Sequence, residues 1–515
     1  MKKKYININI LSLILIIFFS VSINQFYGNR GLFPHDSTAH FDTGYRILLG
    51  DFPVRDYWIV SGFFIDYFQA FLFKFFGINW QVYVFHASLL NMLFVIIFYF
   101  YFKSLKIENI YVIFFCICIS ILGYTSSGTP FVDHHSTFIS IVALILVLLE
   151  INNKNLYLLY ISPFLFLIAF LSKPVPAAYI FILTFLVLFY NSISEKNYKK
   201  IINFLIGTII SISVFFLFLF KTETDFQDFY TQYILYSQEI GRERFKNFDF
   251  DLINTLHEFK FLLISALPLL FILKSIFKKN LVKNKKFYSV ASFLILTVIL
   301  IFYQLLTKNQ IFIFFLIPVL VCMSKDIWQK KKLFTYAAII FTALITLKYH
   351  DRYNNKRKFH EMQKVDFSKT IEAEIIDKRL SGLNWITPGQ SLKPKEEITK
   401  IIKIRDFLKN REENYMLLTN YSFFSVVLEK NNYSFTRWFV GDGTDFPRAR
   451  SADYKLRLKK MVIKKIKEKN IKNIFLVHPV TLSDIEGLIK KECLEKNELT
   501  NSLTKLKLTC QTNSL

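Results

Sequence analysis

Glycine and proline are scarce in this 515-residue chain, 15 and 12 in all, which excludes collagen-like and low-complexity architectures. Cysteine is scarce too: five are present, and none forms a metal-type Cys-x-x-Cys. Cys116, Cys118 and Cys322 lie in or beside apolar runs. Cys493 and Cys510 lie near the C-terminus, where a disulfide is open to them if that region lies outside the cytosol. The chain has no Gly-x-Gly-x-x-Gly, no P-loop and no internal repeat. Acidic residues number 39 against 64 Lys and Arg, a formal net charge of +25. In a soluble protein that excess would suggest nucleic acid. Here most of the lysines sit in short loops between apolar runs, where they set topology, so no nucleic-acid partner is expected.

Apolar residues are plentiful: 53% hydrophobic, 18% aromatic, 59 Phe, and a mean hydropathy of +0.34. The Phe, Ile, Lys and Asn bias reads as genome composition rather than function. The apolar residues collect in runs of roughly twenty, the length that a hydrocarbon core about 30 Å thick demands of a helix. Spans are expected at 6–26, 80–102, 109–124, 131–150, 156–172, 174–191, 201–220, 259–277, 287–306, 310–324 and 333–348. The N-terminal MKKK and its apolar run resemble a signal peptide, but no small-residue cleavage site follows, so an uncleaved first helix is expected. The stretch 61–77 is apolar but carries Asp66 and Lys74, and reads as a membrane-surface or re-entrant helix.

With the N-terminus in the cytosol, every Lys-rich loop falls on one side. Loops 27–79, 125–130, 172–174, 221–258 and 307–309 fall on the other, with mixed or acidic charge. An odd number of spans puts residues 349–515 outside the cytosol, in the periplasm of a Gram-negative cell. There, helical stretches with charged faces (EEITKIIKIRDFLKN, LRLKKMVIKKIKEKN) alternate with short apolar runs (YMLLTN, KNIFLVHP), as in a small α/β domain. The expected fold class is a polytopic α-helical membrane protein of about 11 transmembrane helices, residues 1–348, with a soluble C-terminal α/β domain, residues 349–515.

The first outer loop, FPHDSTAHFDTGYRILLGDFPVRDYWIVSGFF, holds His35, Asp36, His40, Asp42, Arg46, Asp51, Arg55 and Asp56. Charge gathered beside apolar helices is either a solvated rim or a site. Its order is an Asp after the first span, a helix ending Leu-Leu-Gly, an acidic-Phe-Pro, then Arg-Asp-Tyr-Trp. Further on come TPFVDHHSTF, with Asp133 at a span mouth, and LSKPVPA, with Lys173 and Pro174 between two spans. Together these marks, over about residues 30–190, resemble the GT-C superfamily of membrane glycosyltransferases, especially bacterial relatives of protein O-mannosyltransferases and the aminoarabinose transferase.

The resemblance implies a GT-C-like catalytic domain in the bacterial inner membrane. It implies transfer of a sugar from a polyprenyl-phosphate donor to a glycan, lipid or protein acceptor of the cell envelope. Asp36 matches the family's catalytic aspartate and would be the general base. Asp56 matches a second acidic position that orients the acceptor or holds a divalent metal, and Asp133 is a second candidate metal ligand. Lys173 is the candidate cation for the leaving phosphate, or else a lysine reaching to the interface. Arg55, and Arg242 and Arg244 in YSQEIGRERF, are candidate phosphate grips. Asp133 and His134 would bind substrate or serve structure, and His134 and His135 point to different helix faces. In the C-terminal region, FTRWFVGDGTDFPRAR, Trp438 and Trp385 are candidate carbohydrate contacts or core, and YHDRYNNKRKFHEM a membrane anchor or phosphate contact. Two other functions stay open, a lipid-linked sugar flippase or transporter and an O-antigen polymerase or ligase.

Overall fold

The structure is a computed structural model. It describes residues 2–30, 34–125, 128–277, 284–308, 313–356, 366–386, 393–439, 445–447 and 452–510, with the side chains of 2–8, 34–36 and 452 outside that description. The Gly441-Asp442-Gly443 turn and the end of the basic-aromatic run, from 357 on, lie outside the described residues.

In chain order the helices begin with α1 (Lys2–Asn29), α2 (Pro34–Leu48), α3 (Phe63–Phe76), α4 (Trp80–Ser104), α5 (Asn109–Gly123), α6 (Val132–Asn153), α7 (Leu158–Ser172), α8 (Pro174–Ser194) and α9 (Lys199–Lys221). They continue with α10 (Phe226–Phe229), α11 (Ser237–Lys246), α12 (Leu252–Phe277), α13 (Lys285–Thr307), α14 (Leu316–Met323), α15 (Lys325–Trp328) and α16 (Lys332–His350). The C-terminal region adds α17 (Pro394–Lys409), α18 (Phe424–Leu428) and α19 (Ala452–Glu468). Among the described residues, eight helices are long and apolar enough to cross a membrane, and shorter apolar helices fall at Asn109–Gly123, Leu158–Ser172 and Ile313–Met323. All eleven expected runs coincide with helices over their described residues, the tenth from Ile313 on. The chain is a multi-pass membrane protein with a C-terminal mixed α/β region.

Compactness divides the chain into two units: 1–28, 84–216 and 243–364, and 29–83, 217–242 and 365–515. The division expected from the sequence, at 348/349, follows the bilayer. The compact units follow packing, and they group the first loop and 217–242 with the C-terminal region.

The first unit is a helix bundle around α6, which is buried along its whole length. Its outward residues are apolar, among them Ile209 on α9, Phe271 on α12 and Leu344 on α16, as a lipid-facing surface requires. Polar side chains turn inward instead. Asn24 donates to Ser88 Oγ (3.0 Å) and to the Gly128 carbonyl (3.1 Å), Asn91 to the Ser120 carbonyl (3.2 Å), and Ser162 to that of Ala143 (3.0 Å). Such bonds, rather than hydrophobicity, hold helices together in lipid. At one end of the bundle Lys200 bridges Glu150 (3.2 Å) and Glu195 (3.0 Å), and Lys285 donates to the Asn152 carbonyl (2.8 Å).

The second unit contains a four-stranded sheet in the order β3-β4-β6-β5, with β3 (Tyr415–Leu418) parallel to β4 (Asn473–Val477) and the remaining pairs antiparallel. A short antiparallel pair, β1 (Ile371–Glu372) with β2 (Asn384–Trp385), precedes it. β3 and β4 are buried at every residue, the pattern of parallel strands covered on both faces. Leu458, Val462 and Ile466 of α19 pack with Met416, Leu418, Ile474 and Leu476. β5 (Leu494–Thr500), the exposed edge, and β6 (Leu503–Leu508), beside β4, form a hairpin closed by a Cys493–Cys510 disulfide.

Candidate functional site

Within the second unit, the first-loop charges build anchors rather than an open site. α2 and α3 approach closely because residue 44 is glycine: a Cβ there would lie 2.7 Å from Gln69 Cγ. Asp66 of α3 is fully buried and receives His40 Nδ1 (2.7 Å), Thr43 Oγ1 (2.6 Å) and the Arg437 guanidinium. Burial alone would raise its pKa, but the Arg437 charge, with hydrogen bonds from His40 and Thr43, outweighs burial and holds the carboxyl below the usual range. Burial, helped by Arg437, keeps the His40 imidazole neutral, so its Nδ1–H donates to Asp66. Gly62 opens α3 at a φ of 75°, and a Cβ there would meet His40 and Arg437 at 2.5 and 3.0 Å.

Two further anchors use the same logic. Asp42 accepts the Ser425 backbone N–H (2.8 Å) at the start of α18, and also Asn432 Nδ2 (2.9 Å). Arg46 donates to Asp51 (2.8 and 2.5 Å) and to the Ser434 carbonyl (2.6 Å), and Lys465 donates to the other Asp51 oxygen (2.9 Å). Burial pulls the Lys465 ammonium down to about 8 despite that carboxylate.

Arg55 and Asp56 stay partly open, 24% and 19% exposed, and pair with each other at 2.7 Å. Asp56 also accepts the Phe52 N–H (2.7 Å), while Arg55 lies over the Phe52 ring and reaches Glu223 at 3.5 Å. Asp36 lies in the first turn of α2, and its side chain falls outside the described residues. Arg242 is exposed and belongs to this unit; Arg244 belongs to the other.

In the first unit, the α6 N-terminus, the α7–α8 corner and the α13 C-terminus bring three side chains together. Lys173 is the residue between α7 and α8, and Pro174 opens α8. Its Nζ donates to both Asp133 oxygens, at 2.8 and 3.0 Å, and lies 5.6 Å from the centre of the Tyr303 ring. The Tyr303 hydroxyl donates to Asp133 as well, and Ser136 Oγ holds the Lys173 carbonyl (2.8 Å). The Asp133 side chain is 3% exposed and that of Lys173 21%, so the lysine is partly accessible while its partner is not. Arg244, half-buried, lies within electrostatic reach of Tyr303.

His134 stacks on Tyr124 at 4.4 Å, and His135 meets His86 Nε2 at 2.9 Å and the Tyr124 hydroxyl at 3.1 Å. Phe131 occupies the α6 N-cap position and makes no side-chain cap bond. Trp385 is core and donates to buried Glu397 (3.0 Å); Trp438 is half-buried with Arg437 against its ring.

Asp56 and Asp133 are each paired with a basic side chain, Asp56 with Arg55 and Asp133 with Lys173. No three of His, Cys, Asp and Glu gather into a metal-type group among the described residues. Sequence reasoning missed Tyr303 and the anchor Arg437. Tyr303 carries the stronger signal, a Tyr-Gln pair ending an apolar run.

The fold and these clusters define a multi-pass membrane protein with paired charge at its helix ends. No protein-family model matches the chain, and no curated protein matches it. Among solved structures it is similar to the Archaeoglobus fulgidus oligosaccharyltransferase in complex with Zn and sulfate, at 11% identity and a TM-score of 0.44, over 90% of this chain and 68% of that one. A likeness of that size carries no argument about activity, so function is read from this chain's own residues.

Proposed function

We propose that the protein is a glycosyltransferase that moves a sugar from a polyprenyl-phosphate donor to a cell-envelope acceptor on the outer face of a bacterial inner membrane. The observation that carries the reading is Lys173, paired with Asp133, which Tyr303 also holds, at the end of an apolar bundle and partly accessible. A lysine merely reaching for water would need neither partner. The first-loop marks that resemble the GT-C superfamily support the same reading.

In this mechanism the acceptor hydroxyl attacks the anomeric carbon from the face opposite the phosphate. Its proton passes to the Asp36 carboxylate as the new C–O bond forms. The old bond between the anomeric carbon and the phosphate oxygen breaks, its electrons leave with polyprenyl phosphate, and the anomeric centre inverts. Charge builds on that phosphate as the bond breaks, so a preplaced ammonium stabilises the transition state more than the ground state. Lys173 fills that role, Arg244 is the second grip in its unit, and Arg55 and Arg242 are grips in the other. Asp56 orients the acceptor. The proposal routes no step through a metal.

The test is consumption of polyprenyl-phosphate sugars by the purified protein in lipid nanodiscs. Wild type is expected to consume at least one donor of a panel. Lys173→Met is expected to slow transfer by about 100- to 1,000-fold, the usual effect of removing one such donor, with Lys173→Arg partly restoring it. Full activity in Lys173→Met would overturn the assignment of that residue.

A further inference from the structure

The turn that carries Arg55 and Asp56 is strained at the residue before them. Val54 has a φ of 73°, and among the described residues it is the one β-branched side chain at a positive φ. That backbone persists in such a residue only where its surroundings over-determine it. The Val54 side chain is buried, and its N–H donates to the Tyr57 carbonyl (2.9 Å). The chain therefore doubles back within residues 52–57. The reversal lets Asp56 accept the Phe52 N–H (2.7 Å) and lets Arg55 reach the Gly50 carbonyl (2.9 Å) across the Phe52 ring.

Gln232 grips this turn on both limbs. It is buried, donates from Nε2 to the Val54 carbonyl (2.9 Å) and accepts the Ile59 N–H on Oε1 (3.3 Å). Five residues on, Ser237 Oγ donates to the Val60 carbonyl (2.9 Å). In an α-helix, at about 100° per residue, positions 232 and 237 would stand about 140° apart and face different neighbours. The segment Tyr230–Tyr236 is instead a π-helix, whose hydrogen bonds run from i to i+5 and bring residues five apart onto one side. The π winding is what aims both side chains at the same loop.

We propose that Gln232 is a positioning residue: its amide holds the strained Val54 turn, and the turn holds the Arg55 guanidinium ready for the donor's phosphate. The inference rests on the transferase reading, in which Arg55 grips that phosphate. Gln232 itself touches no substrate. A guanidinium that holds the phosphate alike in ground state and transition state contributes to donor affinity. Loosening its turn then raises the donor KM and leaves kcat nearly unchanged. An amide that served only the folded structure would, when lost, lower the melting midpoint without that split.

The test uses the full chain in nanodiscs and the polyprenyl-phosphate sugar that wild type consumes. Gln232→Met keeps the length of the side chain and removes both bonds. It is expected to raise the donor KM about tenfold, the effect of losing two hydrogen bonds, with kcat within about twofold of wild type. Amide hydrogen exchange across residues 52–60 is expected to quicken by about the same factor. Adding Val54→Gly, which takes a positive φ without strain, is expected to bring KM back to within about threefold of wild type. An unchanged KM in Gln232→Met would overturn the proposal, whatever exchange shows. So would a raised KM with unchanged exchange, or one that Val54→Gly leaves raised. If the double variant does not fold, KM and exchange in the single variant decide. Wild type that consumes no donor removes the transferase reading and this inference with it; wild type that does, beside Gln232→Met of equal KM, removes the inference alone.

Discussion

Asp66 shows how much of this protein's charge is spent on holding it together. Removing one member of a buried ion pair leaves its partner without a counter-charge, at a cost of about 3–5 kcal/mol. Asp66→Ala should therefore lower the thermal midpoint in detergent sharply, and an unchanged midpoint would contradict the anchor. The pH dependence has a definite sign. The folded carboxyl titrates below its unfolded value of about 4, so its contribution is complete above that pH and is lost as pH falls through the folded value. Asp51, held low by Arg46 and Lys465 against burial, adds in the same direction. Melting from pH 7 downward should show a steep acid limb that Asp66→Asn makes shallower; a limb of the same slope would argue against it. None of this was legible in the sequence. Asp66 and Arg437 are 371 residues apart, and nothing local to either names the other. Asp133 and Lys173 were legible individually, as marks of a resemblance, but not as a pair completed by Tyr303.

Secondary structure followed the sequence wherever the signal is local. Hydrophobic runs of bilayer length became helices, and YMLL and NIFLV became buried parallel strands, because burial on both faces makes a strand apolar throughout. The hairpin β5–β6 gave no such signal, since the edge strand LEKNELT is exposed and charged and its inner neighbour LTKLKL buries only Leu503 and Leu506. Its disulfide, open to the sequence only if this region lies outside the cytosol, is present. Denatured but unreduced protein should therefore show three reactive thiols, those of Cys116, Cys118 and Cys322, and five after reduction. Five before reduction would contradict the pairing. A 17-residue separation makes the crosslink worth about 3 kcal/mol through the unfolded chain, so reduction should loosen the hairpin first.

For the whole molecule, the distribution of lysine predicts an orientation that reporter fusions can check. A fusion at residue 154 is expected in the cytosol and one at the C-terminus on the far side; the same side for both would remove an odd number of spans. In the predicted orientation Lys173 and Asp36 would both lie on the outer side, where the proposed transfer takes place. The most direct measurement of the central claim is therefore donor consumption by Asp36→Asn against wild type, in nanodiscs and at matched expression. The account predicts that the amide, which cannot accept the proton, loses about 100-fold or more of the transfer rate while donor binding persists. Asp36→Asn with full transferase activity would contradict it.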